Sequence, residues 1–176
     1  MTISRRDVLQ GLAGSVTAVA LRRVGRAQTT SPASIGPYRP DVLPAGIRSR
    51  FVHNINGLSM HVLEAGFERK AGRALLLVHG FPELAYSWRR VMLPLANAGY
   101  HVIAPDLRGY GRTSGTDVKF DDDLAPFRTL NEVRDMLGLV SAFGYRSVDA
   151  VIGHDFGSPV SAWCAVTRPD VSDRWC

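Results

Sequence analysis

The stretch Val148–Ser158, V-D-A-V-I-G-H-D-F-G-S, constrains this chain more than any other. Val148, Ala150, Val151 and Ile152 form a short apolar run with β-branched residues, the mark of a buried strand. Gly153 and Gly157 stand two residues to either side of Asp155, and Ser158-Pro159 opens a helix. Proline costs nothing near a first helical position, because its missing N–H has no partner there anyway. Strand, sharp turn and helix with one polar residue at the apex make a nucleophile elbow. The glycines are needed because so tight a turn leaves no room for Cβ atoms beside strand and helix. The apex is an aspartate. A carboxylate attacks carbon directly and forms an ester, with no base needed to activate it. It suits electrophiles with a strained or good leaving group, such as epoxides or alkyl halides. The plainer reading of G-x-D-x-G is an Asp in a glycine-rich turn, where Asp is common, so the rest of the chain decides.

The chain of 176 residues has room for one ordinary domain, and 45% hydrophobic with 21% charged residues is a globular composition. Its net charge of +5 comes mostly from one end. Residues 1–27 hold Arg5, Arg6, Arg22, Arg23 and Arg26 against Asp7, while the remainder has 16 basic and 15 acidic residues. A nearly neutral body gives no electrostatic case for a nucleic-acid partner. Cys164 and Cys176 make no disulfide framework, and Cys164 reads as a small apolar residue of a helix.

Residues 1–27 read as a targeting segment, outside the fold. Ser4-Arg5-Arg6-Asp7-Val8-Leu9 resembles a twin-arginine export signal, followed by the weakly apolar run Gly11–Leu21. That run falls short of the about 20 residues that span a bilayer. Gly25-Arg26-Ala27 offers small residues where a signal peptidase reads. The expectation is a periplasmic or secreted product with no membrane association after signal removal; a mitochondrial presequence and a plain tail are the alternatives. Residues 28–48, with Pro32, Pro37, Pro40 and Pro44, read as a linker. Residues 49–176 read as the N-terminal part of a hydrolase-type α/β domain.

Within that part, alternation at Phe51, His53, Ile55 and at Leu58, Met60, Val62 around Asn56-Gly57 predicts a β-hairpin. Ala74–Val78 predicts a strand buried on both faces, and His101–Pro105 another. Tyr86–Asn97 reads as a helix with Trp88, Met92 and Leu95 on one side, kinked or split at Pro94. Thr129–Phe143 reads as a helix with a Thr129/Glu132 capping box, a stripe of Leu130, Val133, Leu137 and Val140, and Gly144 as its stop. The last helix runs from about Ser158 to Thr167, ended by Pro169. Alternating strands and helices imply a mostly parallel sheet with right-handed crossovers and an antiparallel N-terminal hairpin. Asp121-Asp122-Asp123 reads as a solvated acidic loop, not a metal site.

His79-Gly80-Phe81-Pro82 follows the buried leucine-rich strand directly. In an elbow-type site this loop supplies one backbone N–H of an oxyanion hole, and the residue after the nucleophile supplies the other. The donors are then the amides of Phe81 and Phe156, fixed in place to meet developing negative charge. Pro82 stiffens the loop.

His79-Gly80-Phe81-Pro82-Glu83-Leu84, Ser87-Trp88, Ala104-Pro105-Asp106-Leu107-Arg108-Gly109-Tyr110-Gly111-Arg112 and Gly153-His154-Asp155-Phe156-Gly157 together resemble the epoxide hydrolases of the α/β-hydrolase superfamily. The resemblance runs from about Phe51 to Pro169. It implies that Asp155 opens a small apolar epoxide to a glycol ester. A water activated by a His–carboxylate pair then hydrolyses that ester, while two tyrosines of a cap domain protonate the leaving oxygen. It implies no metal and no cofactor.

The family places cap, tyrosines, acid and base histidine after the helix that follows the nucleophile. His53, His61, His79, His101 and His154 all precede that point, and His79 and His154 read as packing and hydrogen-bonding residues around the loop. The expectation is therefore a truncated, inactive form. A haloalkane-type dehalogenase uses the same Asp, but such enzymes carry Trp after it to bind the halide, and fluoroacetate dehalogenases carry Arg; Phe156 is neither. A non-catalytic fragment is the reading from another class. Substrate, stereochemistry and oligomeric state are not encoded in these motifs.

Overall fold

The structure is a computed structural model and describes residues 35–68, 72–116 and 118–172. The expected signal segment lies outside the described residues.

Two strands, β1 (Ile47–Ile55) and β2 (Leu58–Ala65), form the antiparallel hairpin around Asn56-Gly57, where both turn residues have positive φ. The expected alternation in β1 breaks at a bulge between His53 and Ile55, where Asn54 takes φ +64°. Val52 and Ile55 consequently reach the core, while His53 is exposed. Three further strands follow: β3 (Arg73–Val78), β4 (Tyr100–Pro105) and β5 (Ala150–Gly153). The sheet order is β1-β2-β4-β3-β5, with β4 parallel to β3 and β3 parallel to β5.

Adjacent residues of the central strands feed different cores, as a period of two requires. Leu77, Val102 and Leu63 pack with Met92 and Ala96 of helix α1 (Arg89–Asn97) on one face. Leu76, Ile103 and Met60 pack on the other with helices α2 (Thr129–Ala142) and α3 (Gly157–Thr167). The residues ahead of β1 pack on the sheet too. Leu43 is buried in the α1-side core, and the Tyr38 amide donates to Ser49 Oγ at 2.8 Å.

Several expected boundaries shift for identifiable reasons. The helix expected over 86–97 is a short 3₁₀ turn, Ala85–Trp88, followed by α1, which continues through Pro94. The carbonyl that Pro94 leaves without a helical donor belongs to exposed Arg90, so water can satisfy it. The Thr129/Glu132 capping box is not formed. Arg128 is the cap residue, and its carbonyl takes the Asn131 amide at 2.8 Å. The buried stripe of α2 is Val133, Met136, Leu139 and Val140, while Leu130 is exposed. It is rotated because Asp135 turns inward to a two-pronged bond with Arg108, both contacts at 2.8 Å. Gly144 does end the helix, at φ +81°. The elbow strand begins at Ala150, not Val148, because the Val148 amide donates instead to Val171 O at 2.8 Å.

Candidate active site

Strands β3 and β5 are neighbours, and Val78 is in register with Gly153. Their parallel alignment brings the loop after β3 against the turn after β5. The His154 amide extends the pairing to Val78 O at 3.1 Å. The chain then turns sharply through Asp155, at φ +52°, and enters α3, with the Ser158 amide on Asp155 O at 2.9 Å. An L-residue pays a steric cost for that backbone, and a packed surrounding must enforce it. Here the enforcement is close contact. A Cβ on Gly153 would collide with the Gly157 carbonyl, and one on Gly157 with the Val78 carbonyl. Gly80 is held in the same way: its Cβ would stand 2.7 Å from Asp155 Oδ1.

The Phe81 amide donates to Asp155 Oδ1 at 2.9 Å. The Phe156 amide also acts on the carboxylate. These two N–H groups, Phe81 first, hold the carboxyl below its ordinary range, so it is ionised at neutral pH. The carboxylate is exposed, and the Phe81 and Phe156 rings flank it edge to face, with centroids 6.4 Å apart. The rings are 61% and 64% exposed, so two apolar walls stand beside one anion. The Phe81–Pro82 bond is cis.

An α/β hydrolase fold family matches residues 73–172. The chain belongs to the α/β-hydrolase family. Among relatives of this α/β-hydrolase, an epoxide hydrolase of Caballeronia sordidicola is 44% identical over 116 residues, covering 65% of this chain and 32% of the relative. Epoxide hydrolase 3 of Siraitia grosvenorii is 40% identical over 119 residues, 66% of this chain and 34% of the relative. An epoxide hydrolase structure from an endophytic Streptomyces superposes with a TM-score of 0.64 at 41% identity, covering 75% of this chain and 37% of that one. The chain thus spans about a third of the length of these curated relatives.

The remaining histidines of this α/β-hydrolase fall into distinct places. His79 is fully buried at the head of the loop after β3. Its Nε2 accepts the Leu107 amide at 2.9 Å, which leaves Nδ1 to donate to Gly80 O at 2.9 Å. Burial pushes its pKa down, so the ring is a neutral spacer with both nitrogens engaged. His154 is 62% exposed and stands 3.6 Å from Glu83, beyond hydrogen-bond length. His61, fully buried, bonds Asp106 at 2.8 Å and Ser49 at 2.7 Å. His53 bonds Ser59, and His101 lies at the start of β4, the other end of the sheet.

The role of Asp106 carries no local signal in the sequence, since its partners come from distant segments. Asp106 also accepts the amides of Ala85 at 2.9 Å and Arg112 at 3.0 Å. Burial opposes its charge, but these donors and His61 outweigh it and lower its pKa. It ties the 3₁₀ turn, β2 and the loop after β4 into one support beneath His79. Tyr110 of that loop stacks edge-on against His79, centroids 5.0 Å apart. The described residues hold no cluster of metal-ligating side chains.

Proposed function

We propose that this α/β-hydrolase opens epoxides through Asp155. The observation that carries the reading is the Phe81 amide on Asp155 Oδ1. It assigns the two carboxylate oxygens different work. Oδ1 becomes the carbonyl oxygen of an ester, already seated on the Phe81 amide, and Oδ2 attacks a ring carbon. The ring C–O bond breaks, and the departing alkoxide takes a proton from water at the open mouth. The product is a glycol monoester of Asp155. Hydrolysis of that ester passes through a tetrahedral anion, which the Phe81 and Phe156 amides are placed to stabilise. The names of the relatives support the choice of electrophile, and the exposed Phe81 and Phe156 rings support a small apolar one.

Four of the five histidines are engaged in bonds elsewhere, and the fifth, His154, has no bond to the carboxylate. The chain alone therefore forms the ester and does not release it. A dehalogenase reading fits less well, because the Phe156 side chain has no N–H for a departing halide. The test is parallel exposure to a styrene-oxide-like epoxide and a matched benzylic bromide. Faster esterification by the epoxide is expected; faster reaction with halide release overturns the assignment. The twin-arginine reading of Arg5-Arg6 adds a proposed site of action outside the cytoplasm, tested by following export after changing both to Lys.

A further inference from the structure

We propose that a cleft at the other end of the sheet from Asp155 binds a small phosphate-type dianion. The cleft, of about 630 Å³, opens where β1 and β4 begin and β2 ends, beneath the connection from α2 to β5. Among the described residues three arginines line it: Arg48 and Arg50 of β1, and Arg146. Its floor is Glu64, whose carboxylate has no solvent exposure.

Glu64 is saturated with donors. Arg48 reaches Oε2 at 2.9 Å, Arg50 bonds Oε1, and His101 reaches Oε2 at 3.1 Å. Burial opposes its charge, yet these bonds prevail and bring its pKa down to about 2. The anionic floor in turn fixes the two guanidinium groups. Arg48 lies 4.0 Å over the Phe67 ring and Arg50 4.6 Å over the Phe143 ring, so neither fork is free to swing. Their side chains nevertheless remain 44% and 41% exposed, with further N–H donors available to the cleft. Arg146 has no acidic partner among the described residues. Glu68 is exposed and does not line the cleft.

The charge count selects the ligand. Among the described residues three guanidinium groups face one carboxylate, a surplus that a dianion neutralises. Planar forks held in advance suit tetrahedral phosphate oxygens, and prior ordering removes part of the entropic cost of binding. The site shares no residue with the Asp155 centre.

The test is calorimetric titration of the full chain with inorganic phosphate, ionic strength being held with chloride. Saturable binding at one site is expected. Arg146→Ala should weaken it by about tenfold, the scale of one lost charge-assisted contact. Gly72→Glu should abolish it, because that position borders the cleft and a Cβ there meets nothing within 4 Å. Both positions are exposed, so melting without phosphate should be unchanged. Asp155→Asn should leave phosphate affinity unaltered, which separates this site from the proposed chemistry. Absence of saturable binding overturns the proposal, as does binding that survives both cleft variants. So does binding of phosphatidic acid vesicles without binding of free phosphate.

Discussion

The Phe81 amide and the Asp155 carboxylate are 74 residues apart in sequence and 2.9 Å apart in space. In the proposed reaction Asp155 thus starts with one oxygen already in the position where negative charge later develops. Such donors need no reorganisation during reaction, which is where an oxyanion hole derives its effect. Gly80 makes the approach possible, since its missing Cβ is the space that Asp155 occupies.

Gly80→Ala should therefore injure the chemistry, and also strain the elbow, since the added Cβ would stand 2.7 Å from the His154 carbonyl. The added methyl pushes the Phe81 amide away from Asp155, and loss of one such donor costs about 10²–10³ in rate. Esterification of the variant by an epoxide, followed by mass spectrometry, should slow on that scale. A rate equal to that of the unaltered chain would show that the amide has no part in the reaction.

Two histidines lie near Asp155, and the proposed reaction uses neither as a base. His154→Gln should leave the lifetime of the ester unchanged, whereas His79→Ala should act on stability. The latter leaves the buried Leu107 amide without its acceptor, a loss of about 1–3 kcal/mol by denaturant titration. An ester that hydrolyses readily in the unaltered chain and persists in His154→Gln would make His154 a base.

How much of this was legible in advance follows from how local each constraint is. The elbow is partly short-range: Gly153, Asp155 and Gly157 read correctly as strand, turn and helix, and the Gly153 collision lies within the turn, although Gly157 is required by the distant Val78 carbonyl. The need for Gly80 is not short-range, because it depends on β3 and β5 aligning Val78 with Gly153. Charged residues misled more. Hydropathy counts Glu64, Asp135 and Asp106 as solvent-facing, yet each is fully buried. Only the pairing of Arg48 with Glu64 in the hairpin register, and the fold of the 106–113 loop, bring their partners to them. The inward turn of Asp135 then rotated α2 away from its expected stripe.

Glu132, one turn before Asp135 on α2, gives a pH signature. Burial first, and the Asp135 charge second, push its pKa up to about 7 from an ordinary 4.5, against the pull of Arg108. A carboxyl raised in the folded state favours its neutral form there. Its effect on stability is thus neutral below 4.5 and unfavourable as pH rises from 4.5 through about 7. Glu132→Gln should be more stable than the unaltered chain at pH above that window, by about 1–2 kcal/mol after allowing for solvent screening. The difference should vanish in acid. Equal melting curves across the window would contradict the assignment.

Among the described residues β5 pairs with β3 alone, so one side of the elbow strand is an open edge. Trp163 and Val166 of the adjoining α3 are exposed, at 47% and 68%. An unpaired edge beside apolar surface is a template for association. Sedimentation of the 176-residue chain should show concentration-dependent self-association. A monomer with one cooperative thermal transition would refute this.

In the proposed function Asp155 is a nucleophile whose ester this chain forms and keeps. Intact-mass spectrometry after long exposure to a styrene-oxide-like epoxide tests it most directly, with Asp155→Asn alongside. The expected result is a single adduct of the epoxide's mass, mapped to Asp155 and missing from the variant, with no accumulation of diol. An adduct that persists in Asp155→Asn, or diol formed over many turnovers, would contradict the account.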